Sequence, residues 1–370
     1  WNAWAPYYAA ELAASMSIRF ITRALATLAA ALVAALAWRH FQLPLPWLTG
    51  PLLVTAVASL CGAPTQSWNP LRNGAQWMIG TALGLYFTPE VSALVLRLWW
   101  AVGLAIAWAL GLGWAFGVLL QRQVARHLPL PPPAQRATSY FAAAIGGASE
   151  MTLLAEREGA RTDLVAAAHS LRLVIVTVLI PFAFTYSGLH ALDALPPAVR
   201  VVAWPGLGLL LAATLAGALA LSRLRLANPW FIGALGVAMG LTMAGVEWSA
   251  LPAWAINGAQ LVIGVSLGVR FRAEFLHTAP RWLAVVAAGT LGMIGLCAGF
   301  AGLLSWLTGL HPATLVLGTS PGGISEMAIT AKVLQLGVPV VTAFQVCRLV
   351  AVLLLVAPVH RWLRRRRVSA

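Results

Sequence analysis

Apolar residues run along this chain in long, unbroken stretches. Leu98–Gln121, Val201–Ser222 and Trp282–Ser325 contain no Asp, Glu, Lys or Arg. A helix needs about 20 mostly apolar residues to cross the hydrocarbon core of a bilayer. Because several separate stretches qualify and none shows the alternation of barrel strands, the pattern predicts an all-α integral membrane protein with many crossings.

The boundaries of these stretches predict two sets of six elements. We expect the first set at 18–38, 46–62, 73–88, 92–121, 135–158 and 162–187, and the second at 200–222, 229–246, 257–271, 281–308, 312–336 and 338–360. The corresponding domain organisation is an N-terminal extension (1–17), a first membrane repeat (18–190), a linker (191–199), a second membrane repeat (200–362) and a basic cytoplasmic tail (363–370). Residues 1–15 read as upstream of the folded part.

The two halves repeat each other in sequence. Order, spacing and residue type agree between the copies, which indicates a duplication. The matched segments are Pro46–Gly50 with Pro229–Gly233, Asn73–Gln76 with Asn257–Gln260, Gly146–Met151 with Gly322–Met327, and Arg172 with Arg348.

Composition and charge then set the orientation. Hydrophobic residues make up 60% of the chain and charged residues only 9%, far below the roughly 25% of a soluble domain. If both Gly-rich elements enter and leave on one side, most of the 24 Lys and Arg residues fall on the cytoplasmic side, as the positive-inside bias requires. The sequence therefore predicts two inverted repeats of about five transmembrane helices plus one re-entrant Gly-rich hairpin each, with both termini cytoplasmic.

The two hairpins carry the most informative polar residues. Consecutive glycines interrupt a helix, and the restarting helix presents free N–H groups and a positive dipole end. Such a tip suits an anionic group, whereas its Glu suits a cation or proton; capping of the helix is the plain structural alternative. The predicted binding residues are Gly146, Gly147, Ser149, Glu150 and Met151 in the first hairpin, and Gly322, Gly323, Ser325, Glu326 and Met327 in the second.

Further polar residues fall inside apolar helices. Arg172 and Arg348 each follow a hairpin Glu, so we expect either ion pairs with Glu150 and Glu326 or a role in holding a substrate carboxylate. His169, one turn before Arg172, is a packing residue or a proton relay. The last predicted binding residues are Asn73, Gln76, Asn257 and Gln260, which either face a cavity or cap their helices.

Other chemistries have little support. The cysteines Cys61, Cys297 and Cys347 are far apart, and the seven histidines form no ligand pair. We therefore expect no enzyme activity, no metal and no cofactor, with Na⁺ or H⁺ as the candidate coupling ion. The net charge of +14 lies in short loops, so we expect contact with the lipid bilayer and no direct contact with nucleic acid.

The doubled segments Asn73–Gly84 with Gly146–Met151, and Asn257–Gly268 with Gly322–Met327, resemble the bacterial AbrB membrane-protein family. Its members are labelled transcriptional regulators or ammonia monooxygenases. The resemblance implies a place near inverted-repeat carriers with crossed, interrupted helices. The chain lacks the paired Asp motif of well-known sodium/proton antiporters, which argues against plain antiport.

These observations favour a secondary transporter in the cytoplasmic (inner) membrane. Inverted repeats with interrupted helices are a recurrent transporter design. We expect a small-molecule substrate, for which an anionic metabolite is one candidate, and a homodimer by analogy. A membrane protein that affects gene expression is the alternative, and an ammonia monooxygenase component is less favoured because no ligand cluster for copper or iron is visible.

Overall fold

The computed structural model describes residues 18–124, 130–188, 201–224, 228–271 and 280–366, and within these ranges it contains helices and turns but no strands. Residues 1–17, the linker 191–199 and residues 367–370 lie outside them. The helices are α1 (Ile18–His40), α2 (Pro46–Leu60), α3 (Asn69–Gly84), α4 (Pro89–Arg97), α5 (Trp99–Val124), α6 (Pro132–Ala143), α7 (Ala148–Arg157), α8 (Thr162–Tyr186), α9 (Trp204–Arg223), α10 (Pro229–Met243), α11 (Ala253–Gly268), α12 (Pro280–Thr308), α13 (Pro312–Thr319), α14 (Ile324–Val333) and α15 (Val338–Arg366).

Six of these helices are long and apolar enough to cross a membrane, namely α1, α5, α8, α9, α12 and α15. In α1, the small residues Ala31 and Ala35 are fully buried, whereas Leu25 and Val33 are 61% and 67% exposed. Large apolar side chains that point outward and small ones that pack inward are what lipid contact produces. The prediction of a helical membrane protein is confirmed at this level.

Three predicted elements differ from the structure. Helices α3 and α11 begin four residues earlier than expected, at Asn69 and Ala253, so Asn73 and Asn257 lie inside their helices and do not cap them.

The third difference is in the stretch 92–121, which is two helices, α4 and α5, with Leu98 between them. Thr88 caps the start of α4 by accepting a hydrogen bond from the Val91 N–H, and Arg97 ends the helix. A charged residue is poorly placed inside a span, so the long apolar helix begins only after it.

The helices form two bundles. Helices α1–α3 pack with α9–α11 in the first bundle, and α5–α8 pack with α12–α15 in the second, while α4 lies between α5, α10 and α15. Each bundle thus takes elements from both halves of the sequence. Contacts between the two bundles are sparser than contacts within each bundle, and they include those of α14 and α15 with α3.

Two reciprocal helix crossings hold the first bundle together. α3 packs on α10, and α11 packs on α2. A Cβ atom on Gly84 would lie 2.7 Å from the Leu235 carbonyl oxygen, and one on Gly268 would lie 2.7 Å from that of Leu52. The G-x-x-x-G spacing of α3 and α11 therefore serves close backbone approach between helices.

Candidate functional site

Two broken helices form the centre of the second bundle. The first break separates α6 from α7 at residues 144–147, and the second separates α13 from α14 at residues 320–323. Gly147 and Gly323 occupy the N-cap positions of α7 and α14, both with extended backbone. Each break therefore brings a helix C-terminus and a helix N-terminus, with their opposite dipole ends, within a few residues of each other.

The repeated Gly-Gly-x-Ser-Glu-Met motif is explained by how its side chains fold back on its glycines. A Cβ atom on Gly146 would lie 2.8 Å from Met151 Cε, and one on Gly322 would lie 2.8 Å from Met327 Cγ. Met151 and Met327 are completely buried. The first glycine of each motif thus makes room for the methionine, which packs rather than lining an open space.

The second glycine makes room for the glutamate. A Cβ atom on Gly147 would overlap Oε2 of Glu150, and one on Gly323 would overlap Oε2 of Glu326. Each carboxylate therefore lies over the N-cap of its own helix, where the positive dipole end favours negative charge. Any residue larger than glycine would displace that carboxylate.

A histidine and an arginine on α8 support the end of α6. Arg172 Nη2 donates hydrogen bonds to the Ala144 carbonyl at 2.9 Å and to His169 Nδ1 at 2.7 Å. His169 Nε2 lies 2.9 Å from the Phe141 carbonyl, to which it donates because Nδ1 acts as the acceptor. This arrangement corresponds to a neutral imidazole, and it satisfies carbonyls that the break leaves without helical partners.

Gln345 and Arg348 on α15 do the same for α13. Gln345 Nε2 donates to the Leu317 carbonyl at 2.7 Å. Arg348 Nη2 donates to the Gly322 carbonyl at 2.8 Å and also to the side-chain oxygen of Gln345. His169 and Gln345 thus make equivalent hydrogen bonds in the two halves of the chain.

The predicted ion pairs of Arg172 with Glu150 and of Arg348 with Glu326 are wrong. Among the described residues, both guanidinium groups donate to backbone carbonyls and to the neighbouring His169 or Gln345 instead. The physical reason is the break itself: it exposes carbonyls beside each arginine, while the carboxylates fold away over Gly147 and Gly323. The Nε atoms of Arg172 and Arg348 are buried and have no hydrogen-bond partner in the part of the chain that the structure describes.

A cavity of about 580 Å³ lies between the two bundles. The first bundle contributes the start of α3, the start of α10 and the end of α11, and the second bundle contributes both breaks and part of α15. Ten of the predicted binding residues line the cavity: Asn73, Gln76, Gly146, Gly147, Glu150, Gly322, Gly323, Ser325, Glu326 and Arg348.

The other predicted binding residues lie elsewhere. Met151 and Met327 are buried in packing contacts, and Arg172 is buried behind the first break. Asn257 and Gln260, on α11, are not among the residues that line the cavity, although their counterparts Asn73 and Gln76 are. The side chain of Ser149 is outside the part of the chain that the structure describes. The cavity is therefore lined unequally by the two halves.

Sequence reasoning missed two cavity residues, Arg72 and Arg270. The charge pattern alone places both among the basic residues on the cytoplasmic side, yet both line the cavity, and the charge of Arg270 interacts with those of Arg72, Glu326 and Glu150. The equivalent positions in the other half are Ile256 and Tyr86, which carry no charge. A search for duplicated polar residues misses Arg72 and Arg270, because each occurs in one half only. Their position directly beside the duplicated segments Asn73–Gly84 and Asn257–Gly268 could have indicated them.

The chain is similar in sequence to proteins of known families. The family described as transition state regulatory protein AbrB matches residues 47–364. The "Uncharacterized protein YhjN" of Bacillus subtilis (strain 168) is 27% identical over 347 residues, which cover 86% of this chain and 87% of that protein. The "Putative regulator AbrB" of Escherichia coli (strain K12) is 26% identical over 321 residues, which cover 85% and 88% of the two chains. No solved structure matches. Since the family match spans most of the sequence, and since the fold is a multi-pass helical one, the chain belongs to the AbrB family of membrane proteins.

Proposed function

We propose that this protein is a secondary active transporter that carries a small anionic metabolite across the cytoplasmic (inner) membrane by alternating access. The observation that carries the proposal is the position of the cavity, which lies between two bundles rather than inside one. Movement of one bundle against the other would open the cavity first to one side and then to the other. The protein acts without a covalent chemical step and is not an enzyme.

The proposal includes the finer architecture of two inverted repeats, each with one re-entrant hairpin formed by a broken helix. Two features support it: the reciprocal crossings of α3 with α10 and of α11 with α2, and the matched breaks at Gly147 and Gly323. Irregular backbone at membrane depth is tolerated where it lines a water-filled cavity, and residues of both breaks line the cavity between the bundles. Both termini are placed in the cytoplasm because the basic loops then lie there.

The residues at the breaks have distinct roles in this proposal. The positive charges that line the cavity, including that of Arg348, attract a negatively charged substrate group. Glu150 and Glu326, which lie over the starts of α7 and α14, take up the coupling ion, H⁺ or Na⁺. Arg172 and Arg348 hold the broken ends in place, and Arg348 also faces the cavity.

The test is uptake into proteoliposomes under an imposed ion gradient. A thermal-shift screen of the purified protein against metabolites identifies the substrate, since a ligand stabilises the state that it binds. Glu150→Gln and Glu326→Gln should abolish coupled uptake while the protein still unfolds near the wild-type temperature. Glu156→Gln is the matched control, because Glu156 lies on the same helix as Glu150 but is exposed and does not line the cavity. Unchanged coupled uptake in both cavity variants would exclude this mechanism.

The names of the family and of the Escherichia coli relative refer to regulation. We include this as the second candidate function, in which an effect on gene expression follows from transport. The two are separated by variants that fold but do not transport. If Glu326→Gln removes uptake and leaves a regulatory phenotype intact, regulation is independent of transport; if both are lost together, regulation depends on it.

A further inference from the structure

The charges that line the cavity are unbalanced. Among the described residues, the lining contains three guanidinium groups, those of Arg72, Arg270 and Arg348, and two carboxylates, those of Glu150 and Glu326. The charge of the nearby Arg348 also acts on Arg172, which lies behind the first break. When Arg172 is counted, the cavity and the break behind it hold four positive and two negative groups.

Arg172 and Arg348 already have a structural role. Their hydrogen bonds go to the carbonyls at the ends of α6 and α13, whose dipoles they complement. Glu150 and Glu326 stand in the same relation to the starts of α7 and α14. In number these four charges cancel within the second bundle, so Arg72 and Arg270 of the first bundle bring the excess of two positive charges to the cavity.

Unlike Arg172 and Arg348, Arg72 and Arg270 hold no broken helix end among the described residues. Among the described residues, neither side chain makes a salt bridge, and Arg72 Nε is buried without a hydrogen-bond partner. Both come from the first bundle, at the start of α3 and just after the end of α11. They line the same cavity as Glu150 and Glu326, and the charge of Glu150 acts on both arginines.

We propose that the cavity takes a small substrate with two negative charges, such as a dicarboxylate, and that Arg72 and Arg270 are its ligands. Buried charge is tolerated when it is paired. A dianion would cancel the excess of two positive charges, whereas a monoanion would leave one uncompensated and a cation would add to it. Guanidinium groups suit this role, because their planar fork binds a carboxylate through two parallel hydrogen bonds.

The asymmetry of the two halves supports a ligand role over a scaffold role. The breaks, their glycines and their supporting arginines occur in both halves, as duplicated scaffolding does. Arg72 and Arg270 correspond instead to Ile256 and Tyr86, so the duplicated fold does not need a charge at these positions. The inference rests on the proposed function, since it names the substrate class of the same cavity.

The test measures binding to the detergent-purified full chain by calorimetry, with four probes at equal ionic strength. Succinate and sulfate are dianions, butyrate is a monoanion with the same number of carbon atoms as succinate, and succinamide is neutral. We expect at least one dianion to bind tenfold or more tightly than butyrate, and succinamide not to bind. Equal binding of butyrate and both dianions, or no binding of either dianion, overturns the proposal.

Variants assign the effect to the two arginines. Arg72→Gln and Arg270→Gln should each weaken dianion binding tenfold or more, whereas Arg270→Lys should keep the preference for two charges. Arg223→Gln is the control, since Arg223 is exposed at the end of α9 and does not line the cavity. Undiminished dianion binding in the Arg72→Gln/Arg270→Gln double variant, folded as judged by its unfolding temperature, also overturns the proposal.

This readout separates the inference from the proposed function. Dianion binding without ion-driven uptake into proteoliposomes would uphold the substrate class and contradict transport. Coupled uptake of a cation, with no dianion binding, would uphold transport and contradict the substrate class.

Discussion

Arg172 donates a hydrogen bond of 2.7 Å to Nδ1 of His169, so that the histidine acts as an acceptor inside the protein. Its other ring nitrogen, Nε2, donates a hydrogen bond to the Phe141 carbonyl. Both ring nitrogens are thus occupied by structural contacts. This relationship favours a supporting role for His169 over the proton relay that its sequence position also permitted.

We therefore expect His169→Gln to be tolerated, because Gln345 makes the same contacts with Arg348 and Leu317 in the other half. His169→Ala should lower the free energy of unfolding by about 1–3 kcal/mol, since it leaves buried polar groups without partners. Thermal unfolding and the pH profile of uptake are the measurements. If the pH profile of uptake in His169→Gln is shifted or flattened while the stability is unchanged, His169 acts as a proton relay and the prediction is wrong.

The second prediction concerns the glycines under the glutamates. Gly147→Ala and Gly323→Ala should each reduce uptake tenfold or more, because the new methyl group takes the place of the carboxylate of Glu150 or Glu326. Stability should fall by no more than about 1 kcal/mol, because the group that must move is the end of a flexible side chain and not packed backbone. Gly295→Ala is the control, since a Cβ atom on Gly295 would meet nothing within 4 Å. Wild-type uptake by both Gly147→Ala and Gly323→Ala would show that transport does not depend on the position of these carboxylates.

The third prediction compares two glycines on α11. A Cβ atom on Gly264 would lie 2.5 Å from the Leu48 carbonyl oxygen, whereas one on Gly258 would meet nothing within 4 Å. Gly264→Ala should therefore destabilise the protein by about 1–3 kcal/mol. Gly258→Ala should be neutral or stabilising by up to about 1 kcal/mol, since alanine is the better helix former. Thermal unfolding in detergent measures both, and equal effects would mean that α11 does not depend on close contact with α2.

The fourth prediction tests the inverted arrangement. Asn73 and Asn257 are equivalent by sequence, but only Asn73 lines the cavity. In a background in which the exposed Cys61 and Cys347 are replaced by Ser, a cysteine at position 73 should react with a membrane-impermeant thiol reagent from the cytoplasmic side. A cysteine at position 257 should react from the opposite side. Labelling of both from one side would contradict inverted repeats.

Many helix boundaries can be predicted from the local pattern of apolar and polar residues. The helix α8 was expected at 162–187 and spans Thr162–Tyr186, and α12 was expected at 281–308 and spans Pro280–Thr308. Both are bounded by charged or turn-forming residues, which mark the ends of an apolar run. The boundary between α4 and α5 was missed although Arg97 marks it, because a single charge at the edge of an apolar run does not by itself show whether a helix ends there.

The candidate site was only partly accessible. The duplicated Gly-Gly-x-Ser-Glu-Met motif identified both breaks, because a helix interruption is encoded by the residues at the break itself. The partners of Arg172 and Arg348 were predicted incorrectly, since charge alone favours a carboxylate. In the structure, the broken helix ends offer carbonyls at shorter range.

What the sequence determined by itself was the class of protein, the places where the helices run and break, and the duplication. These follow from hydropathy and glycine content, which act on neighbouring residues. Only the tertiary structure decided which groups meet across the cavity. Arg72 and Arg270 are about 200 residues apart in the chain and line the same cavity as Glu150 and Glu326 only because the two bundles pack against each other, and no local pattern records that proximity.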